Sequence, residues 1–151
     1  MFSGSPAAGL EMNTLTVRSE LKELDLIRNF LRENLVVFDL SEEDYFRVEL
    51  ALVEICTNVM RYAYPDAVGD LTVCAWVQDN KFYLEIRDSG IPFDPCGIRK
   101  PRLKDLVGQG QKGGLGIFLA RRLMDGFSYR REDGENILTM YKRLEAGPVE
   151  A

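Results

Sequence analysis

Three stretches of the chain carry residue types that could do chemistry. The first is Glu54 and Asn58. Four residues apart, they share one face of a helix. A carboxylate and a carboxamide stacked in this way suit one general base and one oxygen ligand for Mg²⁺. The second is Asp88-Ser89-Gly90. Asp88 keeps the parity of Phe82, Leu84 and Ile86, so in a strand it points to the same side as they do. A carboxylate on an apolar face needs a donor, because burying it unpaired is costly. An adenine amino group is such a donor, and Gly90 would let the backbone approach the ring. The third is Gly108-Gln109-Gly110-Gln111-Lys112-Gly113-Gly114-Leu115-Gly116, five glycines in nine positions. Amides at a helix start bind phosphate, glycines let the backbone wrap it, and Lys112 adds positive charge. Gly108-x-Gly110-x-x-Gly113 matches the dinucleotide fingerprint as text, but a charged stretch precedes it where that motif requires a strand. No Gly-Lys-Ser/Thr follows, so it is not a Walker loop.

These stretches need elements to position them. Asn13 to Arg18 alternates as a short strand, and Leu21, Leu24, Ile27, Leu31 and Leu35 mark one face of an amphipathic helix. Ser41 is a good N-cap, followed by Glu42, Glu43 and Asp44 at the positive helix end. This second helix, with Tyr45, Val48, Leu52, Ile55 and Val59 on its apolar face, runs to about Tyr64 and stops at Pro65. A hairpin follows, Leu71 to Gln78 and Lys81 to Arg87, around Asp79-Asn80. Residues 89–113 are irregular, and a connection that long is uncommon unless functional. Gly114 to Asp125 reads as a helix, and Phe127 to Arg131 with Ile137 to Leu144 as a last hairpin around Asp133-Gly134. Hairpins imply antiparallel pairs, and three helices must cover one face. The predicted architecture is an α+β two-layer sandwich with a mixed, mainly antiparallel sheet. One domain spans residues 13–144, with a lid at about 95–113 and flexible tails at 1–12 and 145–151.

Composition narrows the function. A net charge of −5 argues against a general nucleic-acid binder. No run of about 20 apolar residues suggests a membrane span, and Met1 to Asn13 lacks a signal-peptide pattern. The three cysteines, Cys56, Cys74 and Cys96, are widely spaced, and the chain has no histidine, which excludes a zinc site of ordinary type. Buried thiols of this kind suit a reducing, cytoplasmic setting. Without histidine, catalysis must use carboxylates, Lys, Arg or hydroxyls.

As an ordered set, Glu54-x-x-x-Asn58, then Asp88-x-Gly90, then Gly113-Gly114-Leu115-Gly116, resembles the gyrase–Hsp90–histidine-kinase–MutL ATPase superfamily. Glu54-Ile-Cys-Thr-Asn58 with Tyr62-Ala-Tyr64, Gly90-Ile-Pro-Phe-Asp-Pro95 and Gly114-Leu-Gly-Ile-Phe-Leu119 are similar to the bacterial anti-sigma factor serine/threonine kinases, over about Asn13 to Leu144. The resemblance implies the Bergerat ATP-binding fold, with ATP and Mg²⁺ as cofactors. It implies Glu54 as general base activating a hydroxyl, Asn58 as the Mg²⁺ ligand and Asp88 as acceptor from the adenine amino group. Gly90 would line the base. Gly113, Gly114, Leu115 and Gly116 would cradle the phosphates under a mobile lid near Lys112, and Thr139 would place a hydroxyl beside the adenine. Many relatives carry His where this chain has Tyr62. The implied function is that of an anti-sigma regulatory factor: it binds a sigma factor, phosphorylates a small antagonist protein, and forms a homodimer through its first strand and helix. Two other readings remain open, a non-catalytic ATP-binding regulatory module and a detached histidine-kinase catalytic domain.

Overall fold

The computed structural model describes residues 5–38, 40–93 and 114–144. Five strands form one sheet in the order β1-β2-β3-β5-β4. They are β1 (Asn13–Arg18), β2 (Asp70–Gln78), β3 (Lys81–Asp88), β4 (Gly126–Glu132) and β5 (Glu135–Arg143). All four pairings are antiparallel. Three helices, α1 (Leu24–Leu35), α2 (Glu42–Tyr62) and α3 (Gly114–Leu123), pack on one face, as expected for a two-layer sandwich.

Local chemistry accounts for the element ends. The first helix starts three residues later than its periodicity suggests, because Leu21–Glu23 forms a 3₁₀ turn and leaves Leu21 half exposed. The buried face of α1 is Ile27, Phe30, Leu31 and Leu35. Ser41 caps α2, its side chain accepting from the Asp44 N–H at 3.0 Å, with three acidic residues in the first turn. Asp79 and Asn80 both have positive φ, 53° and 62°, the primed turn whose twist suits a two-residue hairpin. Asp133 and Gly134 do the same for β4–β5.

The core lies between the sheet and the helices. Val17, Leu71, Val73, Phe82, Leu84, Ile86, Leu138 and Met140 meet Ile27, Leu31, Val48, Leu52, Ile55 and Ile117 there. Strand register sets which residues join them. Asp88 lies opposite Asn136, Ile86 opposite Leu138 and Leu84 opposite Met140, so Asn136 shares the helix-facing side of Asp88. Glu85 lies opposite Thr139, which puts both on the outer face.

The predicted N-terminal tail is only partly free. Leu10 packs against Trp76 and Tyr83 on the outer face, and the Ala7 N–H donates to Gln78 Oε1 at 3.1 Å. The apolar side chains cover a stacked Trp76–Tyr83 pair, and this apolar contact holds residues that composition alone marks as loose. The predicted lid and the C-terminal tail lie outside the described residues. Among the described residues, no helix is long and apolar enough to cross a membrane.

Candidate functional site

The site is built where the C-terminal half of α2 faces the end of β3. The cleft there has a cavity volume of about 70 Å³. Ile55, Asn58, Val59, Tyr62 and Ala63 line it from α2, Ile86 and Asp88 from β3, and Ile91 and Phe93 from the loop beyond. Ile117 comes from α3, and Tyr129, Asn136 and Leu138 from the β4–β5 hairpin. The walls are mostly apolar, with few polar groups, the usual make-up of a small-molecule pocket.

Asp88 supplies the carboxylate of this cleft and is 5% exposed. Its Oδ1 accepts from the Gly90 N–H at 2.8 Å and from Asn136 Nδ2 at 2.9 Å. Burial raises its carboxyl above the usual carboxylate range, while the two hydrogen bonds and the nearby Arg131 charge pull it back. Both donors are neutral, so the carboxylate is held without being neutralised by an ion pair.

Asn58, one turn beyond Glu54 on α2, contributes an oxygen of a different kind. Its Oδ1 is buried and has no hydrogen-bond partner among the described residues. An orphaned amide oxygen is expensive to keep unless something completes it. A hard cation fits that need, and Mg²⁺ is ordinarily held by one or two protein oxygens plus phosphate and water. Among the described residues there is no cluster of three His, Cys, Asp or Glu side chains that could hold a metal without such help.

Glu54 is half buried and leans over the start of α3: a Cβ added at Gly116 would collide with its carboxylate oxygen. The structure thus brings Glu54 and Gly116 together. Gly90 serves differently from expectation. A Cβ there would run into the Ala63 carbonyl, and Gly90 does not line the cleft; its bare Cα lets the loop sit on the last turn of α2. The same junction is tied by the Ile91 N–H donating to Ala63 O at 2.9 Å. Tyr64 completes it, donating its hydroxyl to Asp70 O at 2.6 Å and accepting from the Ser89 N–H at 2.7 Å.

Thr139 does not join the site. It is fully buried, but on the outer face of the sheet, opposite Glu85 and away from Asp88. The register of β3 against β5 gives its expected place to Asn136, three residues earlier and of opposite parity. Lys112 and Gly113 lie outside the described residues; Gly114 and Leu115 are the first residues of α3. Tyr62 lines the cleft. Sequence reading missed Asn136, Tyr129 and the loop contact from Arg131 NH1 to Gly90 O at 2.8 Å. The Asp133-Gly134 turn fixes β4 against β5, so it could have placed Tyr129 opposite Leu138.

Comparison with known proteins gives a consistent picture. Residues 17–142 match the Histidine kinase-like ATPase domain family. The chain is 28% identical over 117 residues to the serine-protein kinase RsbW of Bacillus cereus, covering 72% of this chain and 69% of that protein. Its fold is similar to that of the RsbU and RsbW domains of Rv1364c from Mycobacterium tuberculosis, with TM-score 0.64 and 18% identity, covering 89% of this chain and 32% of that one. It is also similar to the histidine kinase domain of a blue-light activated histidine kinase from Erythrobacter litoralis, with TM-score 0.55 and 18% identity, covering 82% of this chain and 60% of that one.

Proposed function

Because the chain belongs to the histidine kinase-like ATPase domain family, we propose that its cleft binds Mg-ATP and that the protein is a serine/threonine kinase of the anti-sigma type. The observation that carries the reading is the pairing, in one cleft, of a neutrally held carboxylate at Asp88 with a buried, partnerless amide oxygen at Asn58. The first suits a base with an amino group, and the second suits the metal that accompanies a nucleotide. The likeness to RsbW serine-protein kinases supports a hydroxyl as the phosphate acceptor.

In this reading Asp88 orients the base, and Asn58 Oδ1 helps hold Mg²⁺, which neutralises charge on the phosphoryl group when bound. Gly113, Gly114, Leu115 and Gly116 cradle the phosphates with Lys112 near them. Glu54 removes the proton from the attacking Ser or Thr hydroxyl. Phosphoryl transfer depends mainly on positioning and charge, which this set of groups can supply. The biological partners are a sigma factor, bound and held inactive, and a small antagonist protein, phosphorylated on Ser or Thr. We propose a homodimer as well: β1 is an edge strand of the described sheet, paired there with β2 alone, and a strand edge of this kind can take a second chain.

Incubation with labelled ATP, Mg²⁺ and the antagonist should label the antagonist with acid-stable phosphate. Glu54→Ala should abolish labelling while nucleotide still binds. Acid-labile phosphate would shift the assignment to a histidine kinase, and binding without any transfer would leave a regulatory module.

A further inference from the structure

Asn136 joins the β4–β5 hairpin to the loop that follows Asp88. It is 6% exposed, and every hydrogen-bonding group of its amide is in use. Nδ2 donates to Asp88 Oδ1 at 2.9 Å and to Ile91 O at 2.8 Å. Oδ1 accepts from the Tyr129 hydroxyl at 2.6 Å and, at longer range, from the Phe93 N–H at 3.4 Å. The partners fix which way the amide faces. Turned over, it would set its oxygen against a carboxylate and a carbonyl, and its NH₂ against a backbone N–H. Asp88 Oδ1 also takes the Gly90 N–H at 2.8 Å. Oδ1 is therefore occupied by two donors, and Oδ2 is the oxygen left for whatever enters the cleft.

We infer that Asn136 is a positioning residue that makes this cleft select a 6-amino purine over a 6-oxo purine, with Tyr129 locking its amide in place. The inference rests on the nucleotide-binding reading of the same cleft. The physical argument concerns Oδ2. A 6-amino group donates to it. A 6-oxo group sets an oxygen against it, and an unmet or repelled buried acceptor costs far more than a lost contact. That discrimination holds only while the carboxyl stays ionised and does not rotate. Two neutral donors on Oδ1 favour the ionised form and pin its plane, while the charges of Arg131 and Glu135 act on it from farther off in opposite directions. Remove Asn136, and the carboxyl can turn or take up a proton. A protonated carboxyl donates to a 6-oxo group, so the loss falls mainly on the amino purine.

The test is calorimetric titration of the full chain with ADP and with IDP. The unaltered protein should bind ADP well above IDP. Asn136→Ala should weaken ADP about 10- to 100-fold and IDP much less, compressing the preference. Tyr129→Phe should act in the same direction by about 3-fold, since it frees the amide to turn but keeps the Asn136 donors. The pH profile separates positioning from simple damage. ADP affinity falls as acid protonates Asp88, and without the Asn136 donor that fall moves to higher pH. Should Asn136→Ala not fold, Asn136→Thr, which keeps one donor, carries the same comparison. Equal proportional losses for ADP and IDP with an unmoved pH profile would overturn the inference alone. Failure of the unaltered protein to bind ADP would overturn the nucleotide reading and this inference with it.

Discussion

Strand β3 buries two carboxylates three residues apart, and the sheet sorts them to opposite faces. Asp88, at 5% exposure, faces the helices; Glu85, at 2%, faces away. Their surroundings differ in kind. Glu85 accepts from Arg87 Nε at 2.8 Å, with Arg130 at 3.9 Å from its other oxygen, and Arg87 reaches on to Glu135 at 3.2 Å. Asp88 is held by an amide and a backbone N–H, both on one oxygen. Burial therefore does not mark a functional carboxylate; the charge of its partners does. A carboxylate bracketed by guanidinium groups has spent its charge inside the protein. One held by neutral donors keeps it for a ligand.

Substitutions on the two faces should separate cleanly. The largest effect is expected at Asp88→Asn, which should weaken ADP by about 100-fold or more in calorimetry, since a site built to accept from an amino group would lose its acceptor charge. The same change should not unfold the protein, because an Asn oxygen still accepts from Gly90 and Asn136. The pH dependence of stability sharpens this. The Asp88 carboxyl lies above its ordinary value in the fold, chiefly through burial. The folded state thus binds the proton more tightly than the unfolded state. Its contribution is full below the unfolded value and is lost as pH rises through the raised one. Denaturant titrations should show ligand-free stability declining across that window, and Asp88→Asn should flatten the decline.

On the outer face, Glu85→Ala should cost about 1–3 kcal/mol of stability in chemical unfolding. That lies below the usual penalty for breaking a buried pair, because both arginines are about a third exposed and can turn to water. ADP affinity should stay as it was. A fall in affinity there would show the faces to be coupled. The smallest effect belongs to Thr139→Val, a loss of about 1 kcal/mol in stability with nucleotide binding unchanged. A clear loss of binding in that variant would restore Thr139 to the site.

Much of the fold was legible because each element carried its own local signal. The Ser41 cap, the Asp79-Asn80 and Asp133-Gly134 turns and the period of α2 each act over a few residues. Asp88 was legible for the same reason, since its parity with Phe82, Leu84 and Ile86 runs along one strand. Thr139 and Asn136 were not. Ile137-Leu138-Thr139-Met140-Tyr141 carries apolar residues at both parities, so the strand does not announce which side faces the helices. That side is decided by how β5 pairs with β3, nearly 50 residues away. Gly90 was read as a close approach to a bound ring, whereas the neighbour it meets in the fold is the end of α2, brought there by tertiary packing.

The junction of Tyr64 with Ser89, together with Ile91 on Ala63, has a consequence in time as well as in space. Two backbone N–H groups of the loop after β3 are spent on Tyr64 Oη and Ala63 O, just past the end of α2. Neither can exchange with solvent unless that junction parts, and the Ala63 N–H, bonded to Val59 O, closes the same turn. The amide protons of Ala63, Ser89 and Ile91 should therefore exchange as one set, at a common opening rate. A ligand seated on Asp88 should slow that opening, so hydrogen exchange with and without ADP would read occupancy of the cleft at a helix end, one turn from Asn58.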